Sequence, residues 1–313
     1  MPLDPEVRAD LEARLAKTSA VSISSFLRYR SLSAASHRTF IDQSARLLEH
    51  VDAGELTVDD VGAFILDHYE SNSKRTFVLD CLPADDQLGT LAALPQQVTV
   101  PTYRDLRLSA TAPTLCYTSI TPAEVRITWV EQHSRYRLNQ RNGEVHTDRY
   151  PRVIVAEYQR QPQRLFVSFD APFSHSHGET ADSYYEYYLT RARALLGVGA
   201  TPRSIESWVT GLEADAKVSW VKQRGRGART TFSVTIDGPL DLRDEPEYRV
   251  LQSSIARRLG GDVRWLANQP TPRADLPPLV RALRTKIDCG ASMITFEQHT
   301  LRNEMQYVLA HLP

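Results

Sequence analysis

The chain has 313 residues, of which 42% are hydrophobic and 24% charged, and its net charge is −1. That length accommodates one large domain or two ordinary domains, each able to bury its own core. The composition excludes a long disordered tail, and no apolar run approaches the roughly 18 residues that a membrane-spanning helix requires. Three widely spaced cysteines favour neither a disulfide framework nor a zinc-thiolate site, so we expect an intracellular, cytoplasmic protein without a membrane partner.

The first part of the chain, residues 1–94, shows helical spacing of its apolar residues. Asp4 and Pro5 are typical of a helix start, and Val7, Leu11 and Leu15 follow at four-residue intervals. A second helix is predicted from about Ile23 to Tyr29. A third is predicted from about His37 to Val51, and the residues on its apolar stripe are Phe40, Ile41, Ala45, Leu48 and Val51. A fourth is predicted after a cap at Thr57, and the residues on its core-facing side are Val61, Phe64, Ile65 and Tyr69. Residues 77–82 are compatible with either a helix or a strand.

Prolines at positions 95 and 101 mark residues 95–110 as the connection between two domains. The predicted organisation is therefore a helical bundle domain over residues 1–94, the connection, and an α+β sheet domain over residues 111–313. The second domain combines alternating apolar residues with helical stretches. Strands are predicted at 125–130, 152–158, 164–169, 217–223, 230–236, 292–298 and 305–312, and helices at about 182–196, 203–214 and 246–259.

Two segments of the second domain are similar to each other. FVSFDAPF (166–173) and FSVTIDGPL (232–240) each precede a polar loop and a predicted helix that ends in Leu-Gly. One interpretation is a duplicated half-unit that forms a curved, mainly antiparallel sheet; the other is coincidence, because Asp, Gly and Pro are common where strands end. The predicted fold class is α+β with a mainly antiparallel curved sheet.

Charge is distributed unevenly along the chain. Residues 1–94 carry 9 basic and 15 acidic side chains, or −6, while residues 95–313 carry 28 and 23, or +5. Only five of the 37 basic residues are lysine. Arginine suits bidentate recognition of phosphate or carboxylate, although a GC-rich genome also favours it.

The most basic short segment is KQRGRGAR (222–229). It contains four positive charges and no acid, and its glycines allow the backbone to approach a phosphate closely. A solvated hairpin tip is the alternative interpretation. The candidate DNA-contacting residues here are Lys222, Arg224, Arg226 and Arg229.

A second basic stretch covers residues 135–164, with seven arginines and three acids. Tyrosines are interleaved with these arginines, as in surfaces that contact nucleic acids. If both stretches share one face of a sheet, they form a continuous basic track. The candidate residues here are Arg135, Arg137, Arg141, Arg149 and Arg152.

The common catalytic motifs of nucleotide-binding proteins, serine hydrolases and zinc proteases are absent from the sequence. His175 and His177 alternate as metal ligands on a strand would, but no spacing specifies a third ligand. Glu131 and His133 have the spacing of an acid/base pair on one strand face. We expect no catalytic residue, no bound metal and no cofactor.

Two stretches resemble the centromere protein N (CENP-N) family of the inner kinetochore. They are the helical pattern at 46–79, and VRITW (125–129) followed by YPRVIVAEY (150–158). The resemblance implies a death-fold-like helical domain, an α/β domain and a DNA-associated adaptor that pairs with a related subunit. Because residues 1–94 are net acidic and match none of the family's contact residues, the family's histone binding is not carried over.

The residues and the resemblance together predict a non-enzymatic scaffold that contacts duplex DNA and is associated with a nucleoid or chromatin. Its protein partner would be a second copy or a related subunit, bound through the C-terminal sheet. A divergent nuclease or hydrolase that uses His175 and His177 is one alternative. A protein-interaction module that assembles through its helical domain is another.

Overall fold

A computed structural model gives the structure of the chain. It describes residues 3–16, 18–35, 39–82, 93–110, 112–138, 145–170, 181–227, 230–236, 241–269, 273, 276–297 and 300–312. These residues form eight α-helices and strands that pair almost entirely antiparallel, the exception being β2 with β3. The predicted α+β class with a mainly antiparallel sheet is confirmed. In the described ranges, no helix has both the length and the apolarity that crossing a membrane demands.

The helices and strands are numbered separately in chain order. The helices are α1 (Pro5–Leu15), α2 (Ala20–Tyr29), α3 (Phe40–Asp52), α4 (Val58–Ser71), α5 (Ala181–Leu196), α6 (Glu206–Gly211), α7 (Pro246–Gln252) and α8 (Arg302–Leu309). The strands are β1 (Lys74–Leu82), β2 (Gln97–Val98), β3 (Thr114–Ile120), β4 (Glu124–Leu138), β5 (Val145–Gln159), β6 (Arg164–Asp170), β7 (Gly199–Pro202), β8 (Val218–Arg226), β9 (Thr231–Thr235), β10 (Arg257–Trp265), β11 (Leu283–Asp288) and β12 (Met293–Phe296).

The chain divides into two compact units that differ from the predicted domains. The terminal unit combines residues 1–73 with residues 204–313, and the central unit is residues 74–203. The predicted boundaries at 94 and 111 do not coincide with this division. One reason is that residues 74–82 form strand β1, which pairs with β6 from Lys74 opposite Asp170 to Asp80 opposite Arg164.

Four capped helices build the N-terminal part of the terminal unit. Asp4 accepts hydrogen bonds from two backbone N–H groups of α1, and Thr57 forms a capping box with Asp60 at the start of α4. Phe26 stacks on Phe64, with 4.7 Å between the ring centres. The predicted helices are therefore present. Ile41, predicted to face the core, is 75% exposed, because the buried stripe of α3 passes through Leu47, Leu48 and Val51.

The sheet of the central unit has the strand order β2-β3-β4-β5-β6-β1-β7. Its longest hairpin pairs β4 with β5 along all 15 residues of each strand. Val125, Ile127 and Trp129 are at most 1% exposed, as their alternation predicts, and Thr128 on the opposite face is buried as well. Both faces of the hairpin are therefore buried over residues 125–129 of β4, apart from Arg126, which is half-buried. The predicted pairing of the next two strands, here β5 and β6, is also confirmed.

The sheet of the terminal unit has the order β12-β11-β10-β8-β9, and every pair is antiparallel. Strands β10 and β11 were not predicted, and the helix predicted up to residue 259 ends at Gln252 as α7. The Leu-Gly pair at 259–260, interpreted as a helix end, lies inside β10. A Cβ atom on Gly260 would lie 1.9 Å from the Ile287 carbonyl oxygen, and one on Gly261 would lie 2.2 Å from that of Lys222. Glycine is required at these positions because strands approach closely there.

The end of the chain also differs from the prediction. Residues 305–312 were expected to form a strand, but Arg302–Leu309 is the helix α8. Glu304 accepts a hydrogen bond from the backbone N–H of Leu301 and thereby closes the first turn. Met305, Val308 and Leu309 are buried at helical spacing. The apolar run satisfied both the strand and the helix pattern, and packing selected the helix.

The buried carboxyl group of Glu157 in the central unit generates a prediction about pH. Glu157 on β5 is 4% exposed and lies opposite Arg126 on β4. Burial and then the charge of Glu124 raise the pKa of Glu157 from 4.5 to about 7, while Arg126 opposes the shift. The folded state thus binds this proton more tightly than the unfolded state, and the stability that it contributes is lost as pH rises from about 4.5 to 7.

We expect Glu157→Gln to remove this pH dependence. Relative to the wild type, the variant should gain up to about 3 kcal/mol in free energy of unfolding between pH 4.5 and pH 8. Urea unfolding at both pH values measures the difference. Glu186→Gln, at an exposed position on α5, is the control and should behave like the wild type. Equal pH dependence of wild type and Glu157→Gln would contradict the prediction.

Candidate nucleic-acid interface

Three of the predicted DNA-contacting residues lie on one face of strand β8. The strand extends to Arg226, so Lys222, Arg224 and Arg226 are strand residues and not part of a hairpin tip. Alternate residues of a strand point to the same side, about 6.6 Å apart. Arg224 and Arg226 are exposed and Lys222 is half-buried. The structure thus gives these cations a regular spacing that a loop would not impose.

Hydroxyl side chains accompany the three cations on the neighbouring strand β9. Lys222 lies opposite Thr235, Arg224 opposite Ser233 and Arg226 opposite Thr231. All three hydroxyl residues are exposed. We call this set the basic strip; it consists of Lys222, Arg224, Arg226, Thr231, Ser233 and Thr235. The hydroxyl row was not predicted, although the alternation in TTFSVT was its signal.

The opposite face of the same hairpin is apolar. Phe232 and Val234 alternate with the hydroxyl residues along β9, so their side chains point to the opposite face, where they are half-buried. Gly225 faces Phe232 across the strands, and a Cβ atom there would lie 2.7 Å from the Phe232 ring. The aromatic ring therefore occupies the space that a side chain at position 225 would need. This packing fixes which face of β8 carries the charges.

Ion pairing distinguishes the basic strip from the two cations of β11. On β11, Arg284 Nη2 donates to Asp262 Oδ2 over 2.8 Å, and Lys286 pairs with Glu297. Those two cations are neutralised by carboxylates of the same sheet. Over the ranges that the structure describes, Lys222, Arg224 and Arg226 form no ion pair. Their positive charge is available to a ligand.

Arg152, another predicted contact residue, has a structural position instead. Its side chain is fully buried, 3.9 Å from a carboxylate oxygen of Glu131, and its guanidinium lies 5.0 Å from the centre of the Tyr184 ring. A phosphate in solvent cannot reach it. Arg152 therefore does not belong to a nucleic-acid interface, because its alternation on β5 directs it into the core.

Glu131 is the centre of this buried network. His133 Nε2 donates to its Oε1 over 2.7 Å, Tyr188 donates to its Oε2 over 2.8 Å, and Tyr184 also donates to it. Burial opposes ionisation, but these three hydrogen bonds hold the pKa of Glu131 below its usual value. Glu131 and His133, which have the spacing of an acid/base pair on one strand face, are therefore in contact, and little of either side chain is exposed. The hydrogen bonds from Tyr184 and Tyr188 to Glu131 join α5 to β4.

The remaining predicted residues have different outcomes. Arg149 is exposed on β5. Arg135 and Arg137 have a described backbone on β4, but their side chains lie outside what the structure describes. Arg141, Arg229, His175 and His177 also lie outside the described residues. The basic strip belongs to the terminal unit and residues 135–164 to the central unit. In the described part of the chain, no group of three metal-ligating side chains is found.

We expect Arg152→Ala to destabilise the protein by about 3–5 kcal/mol, because it leaves the buried carboxylate of Glu131 without its neighbouring cation. Arg149→Ala removes an exposed arginine three positions earlier on the same strand and should cost no more than about 0.5 kcal/mol. Urea unfolding of both variants measures the difference. Similar losses of free energy of unfolding in the two variants would show that buried Arg152 contributes no more to stability than exposed Arg149.

The charges, exposure and strand register of the basic strip are the observations from which a function is inferred. No protein-family model matches the chain, and no curated protein is significantly similar to it.

Proposed function

We propose that the chain is a non-enzymatic scaffold that binds duplex DNA through the basic strip, with little preference for sequence. One observation carries the proposal: Lys222, Arg224 and Arg226 are aligned on one strand face and form no ion pair with described residues. Phosphate groups are suitable partners for such cations, since arginine and hydroxyl groups both donate hydrogen bonds to phosphate oxygens.

The position of the strip supports contact with a duplex. Strand β9 is the last strand in the order of the terminal unit, and β8 is paired on its other side with β10 from Val218 to Arg226, so the strip lies on the face of a sheet beside its edge. Cations in a row on a sheet face can contact the phosphate backbone, which receives most protein–DNA hydrogen bonds. The side chains of the strip donate hydrogen bonds to phosphates without reading base edges, which favours affinity over sequence preference.

The finer parts of the predicted architecture are proposals as well. A death-fold-like bundle is one such proposal, for which helices α1–α4 supply capped starts and a shared core. The relationship to the centromere protein N family is another, and it rests on the sequence resemblance alone. Pairing with a second copy or a related subunit through the C-terminal sheet follows from that relationship. The duplicated half-unit has weaker support, because residues 259–260 lie in β10 and not at the end of a helix.

We expect the affinity for a 30-base-pair duplex to fall steeply with salt. The slope of log affinity against log salt is about 0.9 for each phosphate neutralised, so replacing Lys222, Arg224 and Arg226 with alanine should lower it by up to about 2.7. Fluorescence anisotropy with labelled duplexes of two unrelated sequences, over a salt series, measures both slope and sequence preference.

The matched control removes the same three charges elsewhere: Arg28, Arg191 and Arg249 are exposed helix residues of α2, α5 and α7. Alanine at these positions should leave the slope unchanged. Equal effects of the two triple variants would mean that only the net charge matters. A wild-type protein without salt-dependent binding at micromolar concentration would refute the proposal itself.

A further inference from the structure

Strand β9 is an unprotected edge of the terminal unit's sheet. It pairs with β8 on one side, and no strand of the described residues pairs with it on the other. Natural edge strands are usually protected from further pairing by a charge, a proline or a bulge. The strand Thr231–Thr235 contains neither a charged residue nor a proline, and its register with β8 is regular. The outer side of β9 can therefore accept another strand.

The hydrogen bonds to β8 determine which backbone groups of β9 face outward. The N–H group of Ile236 donates to the Val221 carbonyl oxygen over 3.0 Å, and the Thr230 carbonyl oxygen accepts the N–H of Gly227 over 2.8 Å. In an antiparallel pair, every second residue bonds to the neighbouring strand. The even-numbered residues thus bond to β8, and the N–H and C=O groups of residues 231, 233 and 235 point away from it. They form a row of donors and acceptors along the edge.

The apolar side of this edge is incompletely buried. Phe232 and Val234 point to that side and are half-buried. Ile255, which together with Phe232 flanks the position of a Cβ atom on Gly225, is half-buried as well. Apolar residues of an added strand would lie opposite Phe232 and Val234 and would remove more of their surface from water. The edge therefore favours a strand with apolar residues on this side.

The other side of the edge is the basic strip. An added strand would place its residues there opposite the hydroxyl groups of β9, and about 9.6 Å, or two strand spacings, from β8. Long arginine and glutamate side chains together span this distance. Arg224 and Arg226 form no ion pair with described residues, so carboxylates fit this side. A second copy of β9 would supply no carboxylate, and its own β8 would add three cations to the same face.

We propose that β9 binds, by antiparallel strand addition, an extended segment of a partner protein in which acidic and apolar residues alternate. The antiparallel direction follows from the sheet itself, in which every pair of the terminal unit is antiparallel. Main-chain hydrogen bonds give such a complex its affinity, and the alternating side chains give it specificity. The inference rests on the proposed function only in that both use the cations of the basic strip, so the segment and DNA compete for them.

Fluorescence anisotropy with the full chain and a labelled peptide tests the proposal in the absence of DNA. The peptide has seven residues, with glutamate and valine in alternation and glutamate at both ends. Its binding should be saturable and should weaken with salt, because ion pairs contribute. A control peptide of four glutamates followed by three valines has the same composition and charge without the alternation. It should bind at least about tenfold more weakly.

Methylation of backbone nitrogens separates strand addition from attraction between charges. In the antiparallel arrangement, the N–H groups of the glutamates face β9, whereas those of the valines point away from it. A peptide methylated at the glutamate nitrogens should therefore bind at least about tenfold more weakly, and one methylated at the valine nitrogens should stay within about twofold. Binding that survives methylation of the glutamate nitrogens would overturn the proposal.

A variant of β9 tests the same edge from the side of the protein. Ser233→Pro removes an outward N–H group and no hydrogen bond to β8, and edge strands tolerate proline. It should abolish peptide binding, whereas Ser233→Ala keeps the N–H group and should bind the peptide like the wild type. Both variants should keep the salt dependence of DNA binding, since their cations are unchanged. If Ser233→Pro does not fold, the methylated peptides still test the wild type.

The outcomes distinguish this inference from the proposed function. Peptide binding without salt-dependent DNA binding would support the inference and refute the proposed function. DNA binding without saturable peptide binding up to millimolar concentration would overturn the inference alone. Light scattering of the chain without peptide checks the second copy as an occupant. A wild-type dimer that Ser233→Pro dissociates would show that β9 pairs with itself, and it would also overturn the inference.

Discussion

A charge that leaves water must find a partner, and this constraint organises both units of the protein. Lys74 is completely buried, yet its ammonium donates to the Val153 carbonyl over 2.6 Å and to Asp170 over 2.5 Å. These contacts connect β1, β5 and β6. In the terminal unit, Arg281 and Glu304 form two hydrogen bonds of 2.9 and 2.8 Å. Removing either partner of such a pair would leave a buried charge without its partner and would lower the free energy of unfolding by several kcal/mol.

The same constraint separates arginines that build the fold from those that remain for a ligand. Arg243 illustrates the first kind: it pairs with Asp241 and donates to the carbonyl oxygens of Glu213 and Asp215 over 3.0 Å each. Arginine is well suited to such sites because five N–H groups in one plane satisfy several acceptors. These contacts give Arg243 a structural role. Arg224 and Arg226, exposed and outside any ion pair of the described residues, are the second kind.

The two faces of the terminal unit's sheet differ in the polarity of their side chains, because successive side chains of a strand point to opposite faces. One face carries cations and hydroxyl groups in rows, which suits an extended polyanion. The other face is covered by helices and carries buried apolar side chains, among them those of Val263 and Trp265. A phosphate would therefore be attracted to the first face.

Local sequence patterns were enough to predict the helix starts at Asp4 and Thr57, the alternation of Val125, Ile127 and Trp129, and the hairpin of β5 and β6. These features depend on neighbouring residues: a cap bonds within its own first turn, and strand side chains alternate with a period of two. The Lys222, Arg224 and Arg226 cluster was also visible in the sequence, since it is contiguous.

Tertiary packing alone decided the rest. Short apolar runs satisfy helix and strand patterns equally, so β1 and α8 were settled by pairing with β6 and by the Glu304 cap. Gly260 and Gly261 mark a close approach of β10 to β11 and β8, and not a helix end, because those strands lie far away in the sequence. Arg152 is buried because Tyr184, 32 positions later, and Glu131 surround it. Trp208 and His311, 103 positions apart, line one pocket beside α6 for the same reason.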